Sequence, residues 1–447
     1  MALPRVLIFG QPFNYRHGGG ITLSNLFHGW DKKSLAVAAS GHVMNNVTTD
    51  VCDTYYQLGS DEYKWRFPFN YFQRTFTSGL LRFEENPNDS MTERDQGLRY
   101  YIVNNIFYPT LEWLGIFHGA ARYSFSDDFL AWVKEYSPQI LYFQVSSYDT
   151  IKFARRLQEF LGIPSVLHMM DDWPSTISQK GPFRKMWHRR IDGELRSLMD
   201  NASLLLSISE AMSDEYSVRY GKTFISFHNP IDLERFSTND KPVMSDNKCF
   251  RILYLGRVGT ANRQSLLKFA SFISNYNNSD KNVEFDIYTN DNKELGYKKI
   301  MKYRGVSVFE AVSYDQVPFL MRCYDLLLLP LDFTKLGLKF SRYSMPTKAS
   351  EYMASGIPIL VFAPRETAIS MFCLKYQCGY CVNSQEMNDL EKAINLLIND
   401  FDYRSIIVDR AKRLAFQLFD GERVRGNFQS LISQLLVSGN DELINVQ

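Results

Sequence analysis

Residues 344–358 read SMPTKASEYMASGIP, and this stretch determines how we interpret the rest of the chain. Ser344 suits a helix N-cap, Pro346 is tolerated in a first turn, and Gly356 is typical of a residue that ends a helix. The apolar run at 357–362 that follows is typical of a buried strand. The stretch therefore predicts one capped helix leading into a buried strand.

The same helix carries a pattern of polar side chains. Helical spacing places Ser344, Lys348 and Glu351 on one face. Amides at a helix N-terminus can hold phosphate oxygens, and a carboxylate nearly two turns along can accept hydrogen bonds from two vicinal hydroxyls, such as those of ribose. An exposed Lys–Glu pair is the alternative, and the buried character of the flanking strands makes it less attractive.

Strand and helix patterns alternate along nearly the whole chain, and the alternation occurs twice. This is typical of an α/β protein with parallel sheets covered by helices on both faces. Strands are predicted at 6–9, 35–39, 140–145, 165–169, 203–208 and 223–227, and again at 251–255, 283–288, 306–308, 326–329 and 357–362. The sequence therefore predicts two Rossmann-like domains.

The segment 228–250 has little apolar periodicity, and we expect the hinge there. The predicted domains are 1–236, with an aromatic-rich insertion at about 59–125, and 237–420. Residues 421–447 are predicted as a C-terminal helix that packs back on the first domain.

Composition excludes several classes of protein. The chain has 447 residues, 45% of them hydrophobic, and its formal net charge of +1 provides no general field for binding nucleic acid. No apolar run approaches the roughly 20 residues of a membrane-spanning helix, and no signal-peptide core follows Arg5. We therefore expect a cytoplasmic protein. The Cys378–Cys381 pair lacks the second pair that a structural zinc site requires.

Two further motifs suit an anionic ligand. Gly18, Gly19 and Gly20 follow the first strand and precede a helical pattern, so backbone could approach a phosphate there, although such a turn often serves geometry only. Arg257 follows the first strand of the second half, and Arg263 comes shortly after it. Guanidinium groups pair bidentately with phosphate, so the two could hold a diphosphate, unless Arg263 is only a solvated residue at a helix start.

Taken together, the segment from Arg257 to Pro358, residues 229–236 and the Gly18–Gly20 turn resemble the retaining GT-B glycosyltransferases of family 4. The resemblance covers nearly the whole chain except the insertion. It implies two Rossmann-like domains that face each other across a cleft, with the nucleotide-sugar donor mainly on the second. In residues 229–236 this chain has Pro230 and Ile231 where the family usually has Gly and Val.

The resemblance also implies donor-binding residues in the second half. Arg257 and Arg263 would hold the diphosphate, and Glu351 would bind the nucleotide ribose. The earlier glutamate of the family's paired motif falls on Tyr343, and Lys348, in a Pro-x-Lys-x-x-Glu-Tyr-Met-Ala pattern found in a subgroup, would compensate for it.

The remaining donor contacts come from backbone and small side chains. The segment 306–317 is similar to the loop that borders the nucleobase, which places Ala311 and Val312 beside the base. Ser344 in the helix and Gly19 and Gly20 in the first half complete the expected donor site.

In the first half, the segment HMMDDWP at 168–174 follows a buried strand and looks like the family's cleft motif. His168 would face the donor sugar, and Asp171, Asp172 and Trp173 would contact the acceptor. Without the resemblance, a histidine at a strand end is more often a satisfied polar residue.

Residues 183–199 are predicted to form a helix with one apolar and one basic face. A helix packed on the sheet with a solvated basic side explains the pattern, and so does one that rests on anionic lipid at the inner face of the plasma membrane.

The resemblance implies transfer of a sugar to an acceptor hydroxyl with retention of configuration. No cofactor and no metal ion are expected, because arginines and helix dipoles stabilise the leaving diphosphate. The setting most compatible with these features is synthesis of a surface polysaccharide or lipopolysaccharide on a glycan or lipid-linked glycan acceptor. A GT-B nucleotide-sugar epimerase and a non-catalytic nucleotide-sugar-binding scaffold are the alternatives.

Overall fold

Two β-sheets, one mainly and one entirely parallel, form the centres of two structural units in the computed structural model. The structure describes residues 3–15, 18–44, 47–67, 69–73, 75–83, 102, 106–177, 181–236, 249–277, 282–290 and 299–437. The first unit comprises Met1–Ser207, Tyr216–Ile225 and Asn427–Gln447, and the second comprises Ile208–Glu215 and Ser226–Gly426.

The first unit contains an eight-stranded sheet and a separate two-stranded one. The strands are β1 (Val6–Phe9), β2 (Leu35–Ser40), β3 (Tyr55–Leu58), β4 (Tyr63–Trp65), β5 (Gly79–Leu80), β6 (Ala121–Tyr123), β7 (Ile140–Phe143), β8 (Ser165–Met169), β9 (Leu204–Ser207) and β10 (Ile225–Ser226). The large sheet has the order β10-β9-β8-β7-β1-β2-β3-β5, and β4 pairs with β6. Strands β1 and β7 are buried along their whole length, which explains their continuous apolar sequence.

Helices of the first unit connect these strands. They are α1 (Gly18–Phe27), α2 (Tyr108–Trp113), α3 (Phe117–Ala120), α4 (Asp127–Tyr136), α5 (Tyr148–Leu161), α6 (Trp173–Thr176) and α7 (Arg184–Asp200). Helix α8 (Glu210–Tyr220) begins in the segment assigned to the second unit and continues in the first.

The second unit contains a six-stranded parallel sheet of order β13-β12-β11-β14-β15-β16. Its strands are β11 (Phe250–Leu255), β12 (Val283–Thr289), β13 (Val306–Glu310), β14 (Leu326–Pro330), β15 (Ile359–Phe362) and β16 (Tyr380–Val382). Successive residues of β11 belong to two different apolar clusters. Leu253 and Leu255 lie in one cluster, and Ile252 and Tyr254 lie in the other. The sheet is therefore buried on both faces, as its apolar strands predict.

The helices of the second unit are α9 (Arg263–Tyr276), α10 (Val317–Arg322), α11 (Lys335–Ser341), α12 (Lys348–Ser355), α13 (Ala368–Tyr376), α14 (Met387–Asn399) and α15 (Phe401–Leu414). A π-helical turn, Ala415–Phe419, leads to the last helix, α16 (Gly421–Val437). From Asn427 onward α16 belongs to the first unit, where the Phe428 ring lies 5.0 Å from that of Phe27. In the described parts of the chain, no helix has both the length and the apolar character needed to cross a membrane.

The predicted α/β class with two Rossmann-like halves is confirmed, and all eleven predicted strands are present with small shifts at their ends. Pattern analysis missed β3, β16 and the three short strands in or beside the insertion. Within the insertion, β5 pairs antiparallel with β3 and so extends the main sheet. This pairing depends on a long-range contact that local periodicity does not contain.

The chain enters the second unit earlier than the predicted boundary after residue 236. Ile231 is buried in the second unit, where its N–H donates to Phe419 O at 2.9 Å and its carbonyl accepts from Gly421 N at 2.9 Å. These two hydrogen bonds connect the residues around Ile231 to the end of the second unit. The long segment of the second unit therefore begins at Ser226 and not after residue 236. The polar run 237–248, expected as part of the hinge, lies outside the described residues.

The glycines after β1 form the first turn of a helix, whereas a turn preceding a helix at Ile21 was expected. Helix α1 begins at Gly18. A Cβ on Gly20 would lie 1.9 Å from the side-chain nitrogen of Asn14, so the glycine accommodates that buried side chain. At Gly19 a Cβ would make only ordinary contacts, the nearest 3.8 Å from Gln144 Oε1. The packing therefore explains the glycine at position 20, and leaves the one at position 19 available for a role toward a ligand.

Candidate functional site

The carboxyl end of β11 lies at the centre of the second sheet, where strand order changes direction. Strand β11 pairs with β12 on one side and β14 on the other, and crevices beyond such points are the usual ligand sites of open α/β sheets. Gly256 follows with φ of +145°, a backbone conformation that favours glycine. The next residue is the exposed Arg257, so its side chain lies at this edge.

The loop that carries Arg257 is fixed by its own hydrogen bonds. The carbonyl of Arg257 accepts from the Tyr254 hydroxyl at 2.6 Å and from Asn262 Nδ2 at 2.9 Å. Gly259 N donates to Asn262 Oδ1 at 2.9 Å. The guanidinium therefore extends from a backbone that is held on both sides of the turn.

Helix α12 is attached to the same edge by a buried hydrogen bond. Leu255, the last residue of β11, donates its N–H to the hydroxyl of Tyr352 at 2.9 Å. Tyr352 is fully buried, and burial raises the pKa of its hydroxyl, so it stays neutral. Arg257 follows Leu255 by two residues, and Glu351 directly precedes Tyr352. The Leu255–Tyr352 hydrogen bond therefore places both residues at this end of the sheet.

Glu351 is the most enclosed ionisable residue of this region. It is 3% exposed, and Lys348 Nζ lies 3.3 Å from its Oε2. The Tyr314 hydroxyl also hydrogen-bonds to Glu351, and burial, followed by the charge of Glu351, raises the pKa of that tyrosine. Arg235 stacks over the Tyr314 ring with its guanidinium carbon 4.0 Å from the centroid. Three segments distant in sequence therefore meet around one buried carboxylate.

The N-terminus of α12 differs from the predicted one. The helix begins at Lys348 after Thr347, so Ser344 and Pro346 lie before it, and only the Lys348–Glu351 part of the expected face is helical. Proline restricts the residue that precedes it to extended backbone, which explains why the helix does not include that region. In the described chain, no side chain caps the first turn of α12, and Ser344 Oγ is buried without a hydrogen-bond partner.

Helix α9, by contrast, has an occupied N-terminus. Asp332, which follows β14, accepts from Ser265 N at 2.8 Å and from Gln264 N at 3.3 Å. Burial raises the pKa of Asp332, while those amides and the charge of Arg263 lower it. The carboxylate thus takes the position that an anionic ligand would need, and Arg263 lies close enough to act on it. Of the two predicted phosphate-binding arginines, Arg257 has the more open setting.

Ala311 and Val312 directly follow β13, and Val312 packs against the apolar cluster that contains Leu255 and Tyr352. This places the loop predicted to border a nucleobase beside Tyr314 and Glu351. Sequence reasoning missed Tyr314 as a candidate. Its signal is weak, because an aromatic residue after a strand is common and its contacts with Arg235 and Glu351 are not local.

Tyr343, which stands where the family that the chain resembles has a glutamate, lines a cavity of about 290 Å3 within the second unit. The Ser209 hydroxyl donates to its carbonyl at 2.5 Å. The lining residues are Ser209, Glu210, Ala211, Asp214, Glu215, His228, Tyr343, Met345, Ala368, Met371, Phe372 and Lys375. Arg257, Lys348 and Glu351 are not among them, so this cavity is separate from the cluster around Glu351.

In the first unit, His168 lies inside the sheet. It is 1% exposed, and its Nδ1 contacts the hydroxyl of the fully buried Tyr142. Burial lowers the pKa of His168 to about 3, against a smaller opposing effect of the Ser207 backbone, so the ring is neutral near pH 7. This burial favours a structural role over the predicted contact with a donor sugar, which remains a prediction.

The two aspartates after β8 have different settings. Asp172 is buried and accepts from the Tyr216 hydroxyl at 2.8 Å and from Arg219 Nη1 at 2.7 Å. Asp171 is exposed at the surface. Desolvation by neighbouring atoms raises the pKa of its carboxyl group, and a hydrogen bond with the Trp173 backbone lowers it. Trp173 is 7% exposed and offers no open ring face. Of the three predicted acceptor residues, Asp171 alone has an accessible functional group.

Comparisons with known proteins agree with this geometry. Residues 249–400 match the family model described as Glycosyl transferases group 1, which is less than half of the chain. No characterised protein matches the sequence significantly.

Solved structures match over nearly the whole length. The Anabaena protein HepE in complex with UDP and glucose has a TM-score of 0.60 at 14% identity, over 96% of this chain and 99% of that one. Sucrose-phosphate synthase from Thermosynechococcus elongatus has a TM-score of 0.63 at 12% identity, over 97% and 99%. The α,α-trehalose 6-phosphate synthase from Burkholderia multivorans has a TM-score of 0.56 at 10% identity, over 99% and 100%. These likenesses establish the GT-B fold, and the family match supports a glycosyltransferase.

The setting of Asp172 leads to a prediction about stability. Replacing it with alanine leaves Arg219 and the Tyr216 hydroxyl without their buried partner, so we expect Asp172→Ala to lower the free energy of unfolding by about 3 kcal/mol. Urea denaturation at pH 7 measures the change. The matched variant Asp171→Ala should stay within about 0.5 kcal/mol of the wild type, because its side chain is exposed. Equal losses in the two variants would contradict the structural role of Asp172.

Proposed function

We propose that this protein is a retaining glycosyltransferase that moves a sugar from a nucleotide diphosphate sugar to an acceptor hydroxyl. The observation that carries the proposal is the placement of Arg257 and Glu351 at one sheet edge by the Leu255–Tyr352 hydrogen bond. One side chain is an exposed cation and the other a buried carboxylate, which are the groups that a diphosphate and a ribose require.

In this proposal the donor binds to the second unit. Arg257 and the uncapped first turn of α12 hold the diphosphate, and Glu351 accepts hydrogen bonds from the ribose hydroxyls. Ala311 and Val312 border the base, and Lys348 Nζ lies 3.3 Å from Glu351 Oε2. Arg263 contributes a longer-range positive charge, because Asp332 lies beside it.

The reaction needs no protein nucleophile. The bond from the sugar C1 to the diphosphate oxygen breaks with its electron pair remaining on that oxygen, and the acceptor hydroxyl oxygen forms the new bond on the same face. The acceptor proton passes to the departing phosphate oxygen. Arg257 and the helix amides stabilise the negative charge that develops on the diphosphate, which is where such groups lower a barrier most.

Two further details of the proposal concern the substrates. UDP is the first nucleotide to test, since HepE, a structural relative, forms complexes with UDP and UDP-glucose. The acceptor is assigned to the first unit, and a glycan or lipid-linked glycan of surface polysaccharide or lipopolysaccharide synthesis suits the aromatic-rich insertion.

Donor hydrolysis tests the proposal without knowledge of the acceptor. With α-anomeric UDP-glucose or another UDP-hexose, proton NMR should detect the α-hexose first, before mutarotation. We expect Arg257→Ala to slow this release by about 100-fold, because one charge-stabilising group is lost. We expect Glu351→Gln to weaken UDP binding about tenfold, measured by calorimetry, because a charged hydrogen-bond acceptor is lost.

The exposed Glu366 provides a matched control, and Glu366→Gln should behave as wild type in both assays. First release of β-hexose would contradict retention. UDP binding without any turnover would favour the second candidate function, a non-catalytic nucleotide-sugar-binding scaffold, which Tyr343 in place of the family's glutamate supports.

An exposed surface of the first unit supports contact with a membrane. Helix α7 buries Trp187 and Ile191 as predicted, but Phe183 and Met186 are 48% and 37% exposed. A Cβ on Gly115 would lie 2.8 Å from Phe183 Cβ, so the segment after α2 lies against this region. The apolar patch comprises Trp113, Ile116, Phe117, Phe183 and Met186, and the exposed cations beside it are Arg184, Lys185 and Arg189. Apolar and basic groups together suit an anionic lipid surface.

Co-sedimentation with vesicles of phosphatidylglycerol and phosphatidylcholine tests this patch. The double variant Arg184→Glu, Lys185→Glu should bind at least tenfold more weakly, because each cation near an anionic surface contributes about 1 kcal/mol. The control Lys33→Glu, Lys134→Glu reverses two exposed lysines elsewhere in the first unit and should bind normally. Wild-type binding that is independent of phosphatidylglycerol content would refute the proposal.

A further inference from the structure

A cavity within the second unit lies apart from the residues proposed to bind the donor. Its volume is about 290 Å3, close to the lower end of the roughly 300–1,000 Å3 range of small-molecule pockets. Helix α8 contributes Glu210 and Asp214 to the lining, and helix α13 contributes Met371 and Lys375. The two residues of each pair are four positions apart and so lie on one face of their helix. The cavity is therefore lined by one face of each helix and has room for a small molecule.

Polar contacts connect the walls of this cavity. Lys375 Nζ on α13 lies 3.0 Å from Glu210 Oε2 on α8. The Ser209 hydroxyl donates to the carbonyl of Tyr343 at 2.5 Å and accepts from Met212 N at 3.1 Å. Three segments that are distant in sequence are thus joined around the cavity, so its lining is formed before a ligand binds.

The cavity has a buried histidine with an unused hydrogen-bonding atom. His228 is 8% exposed, and burial lowers the pKa of its ring against the opposing effects of Glu210 and the Ile208 backbone, so the ring is neutral near pH 7. The ring donates to the backbone of Ile208, whereas Nδ1 has no partner in the part of the chain that the structure describes. A neutral imidazole has one N–H donor and one acceptor nitrogen, and the bond to the backbone uses the donor. Nδ1 is therefore an acceptor that a ligand with an O–H or N–H group would satisfy.

The charged residues of the lining favour a ligand that carries a positive charge. Three of them, Glu210, Asp214 and Glu215, are carboxylates, whereas Lys375 supplies one ammonium group. Asp214 is exposed, so a carboxylate lies on the solvent side of the cavity while His228 lies on the buried side. Among the described residues, no three metal-binding side chains are arranged to hold an ion, which favours an organic cation over a metal.

Apolar side chains complete the lining. Met345, Ala368 and Phe372 belong to it, and the last two are buried. Such side chains contact the carbon atoms of a ligand and offer it no hydrogen bond. The ligand therefore needs a carbon skeleton in addition to its polar groups.

We propose that this cavity binds a small hydroxylated amine, such as an amino alcohol or an amino sugar. A hydroxyl of the ligand donates to His228 Nδ1, and its ammonium group lies among the carboxylates of α8. Removing a hydroxyl from water at the buried side costs less than removing an ammonium group, which determines this orientation. The inference goes beyond the proposed glycosyltransferase function and does not depend on it, because occupancy of the cavity can be measured without any donor.

Calorimetric titration of the full chain with three amines at pH 7 tests the site. The probes are ethanolamine, 2-amino-1,3-propanediol and glucosamine. Each has a neutral counterpart with a hydroxyl in place of the ammonium group, namely ethylene glycol, glycerol and glucose. At least one amine should bind one to one and about tenfold more tightly than its counterpart, because its hydrogen bonds are charge-assisted. No binding by any of the amines, or equal affinity for each amine and its counterpart, would overturn the inference.

Variants of the lining assign the binding to this cavity. His228→Phe keeps an aromatic ring and removes the acceptor, so it should weaken binding of the amine about tenfold. Asp214→Asn removes an exposed charge and should weaken it about threefold. Ala211→Trp should abolish binding, because the larger side chain would fill the cavity. The matched control Asp402→Asn removes the charge of another exposed aspartate, in α15, and should bind as wild type.

Two further comparisons separate a misfolded variant and a failed function from a failed site. If His228→Phe or Ala211→Trp does not fold, Asp214→Asn decides the question, because its side chain is exposed and wild-type affinity in that variant would contradict the site. UDP binding and donor hydrolysis should stay at wild-type levels in Asp214→Asn, since the groups proposed to bind the donor are unchanged. Absent hydrolysis in wild type would refute the proposed function, while amine binding that Asp214→Asn weakens would still support this cavity.

Discussion

The hydrogen bond from Leu255 N–H to the Tyr352 hydroxyl is the constraint on which the donor edge depends. A backbone donor at the end of a buried strand must find a partner, and here a tyrosine from a helix almost a hundred positions away supplies it. Because Tyr352 is enclosed by the apolar cluster of the second sheet, it cannot move without opening the core. The bond therefore determines where Glu351 lies relative to the loop of Arg257, and both proposed donor contacts follow from it.

The charged groups of the two units are organised in opposite ways. In the second unit the exposed cation Arg257 follows β11, and the buried carboxylate of Glu351 has Lys348 Nζ 3.3 Å from its Oε2. In the first unit the buried carboxylate of Asp172 accepts hydrogen bonds from Tyr216 and Arg219, whereas the neighbouring Asp171 is exposed. Saturated groups stabilise a fold, whereas groups that lack partners or remain exposed are the ones available to a ligand.

Sequence patterns predicted the parts of this structure that depend on local chemistry. Buried parallel strands are continuous apolar runs, so the two sheets were predictable, and the helix that ends at Gly356 was predictable from its C-terminal glycine. Its start was placed three residues too early, because Ser344 satisfies the N-cap rule while Pro346 prevents the helix from extending back to it. The buried strand before the HMMDDWP segment predicted His168 at the edge of the sheet, but the sequence did not show that its ring is buried and contacts the Tyr142 hydroxyl.

The sequence could not show the contacts between segments that are distant along the chain. Nothing local predicts that Arg235 stacks on Tyr314, that Tyr314 reaches Glu351, or that Ile231 pairs with Phe419 and so moves the unit boundary.

Hydrogen–deuterium exchange with and without UDP tests the central claim most directly. The account predicts slower exchange in three segments of the second unit together: residues 256–263 around Arg257, residues 311–317 beside Tyr314, and residues 344–352 around Glu351. These segments are distant in sequence and share only the edge that the Leu255–Tyr352 bond organises. Protection confined to the first unit, or to none of the three segments while UDP is bound, would contradict it.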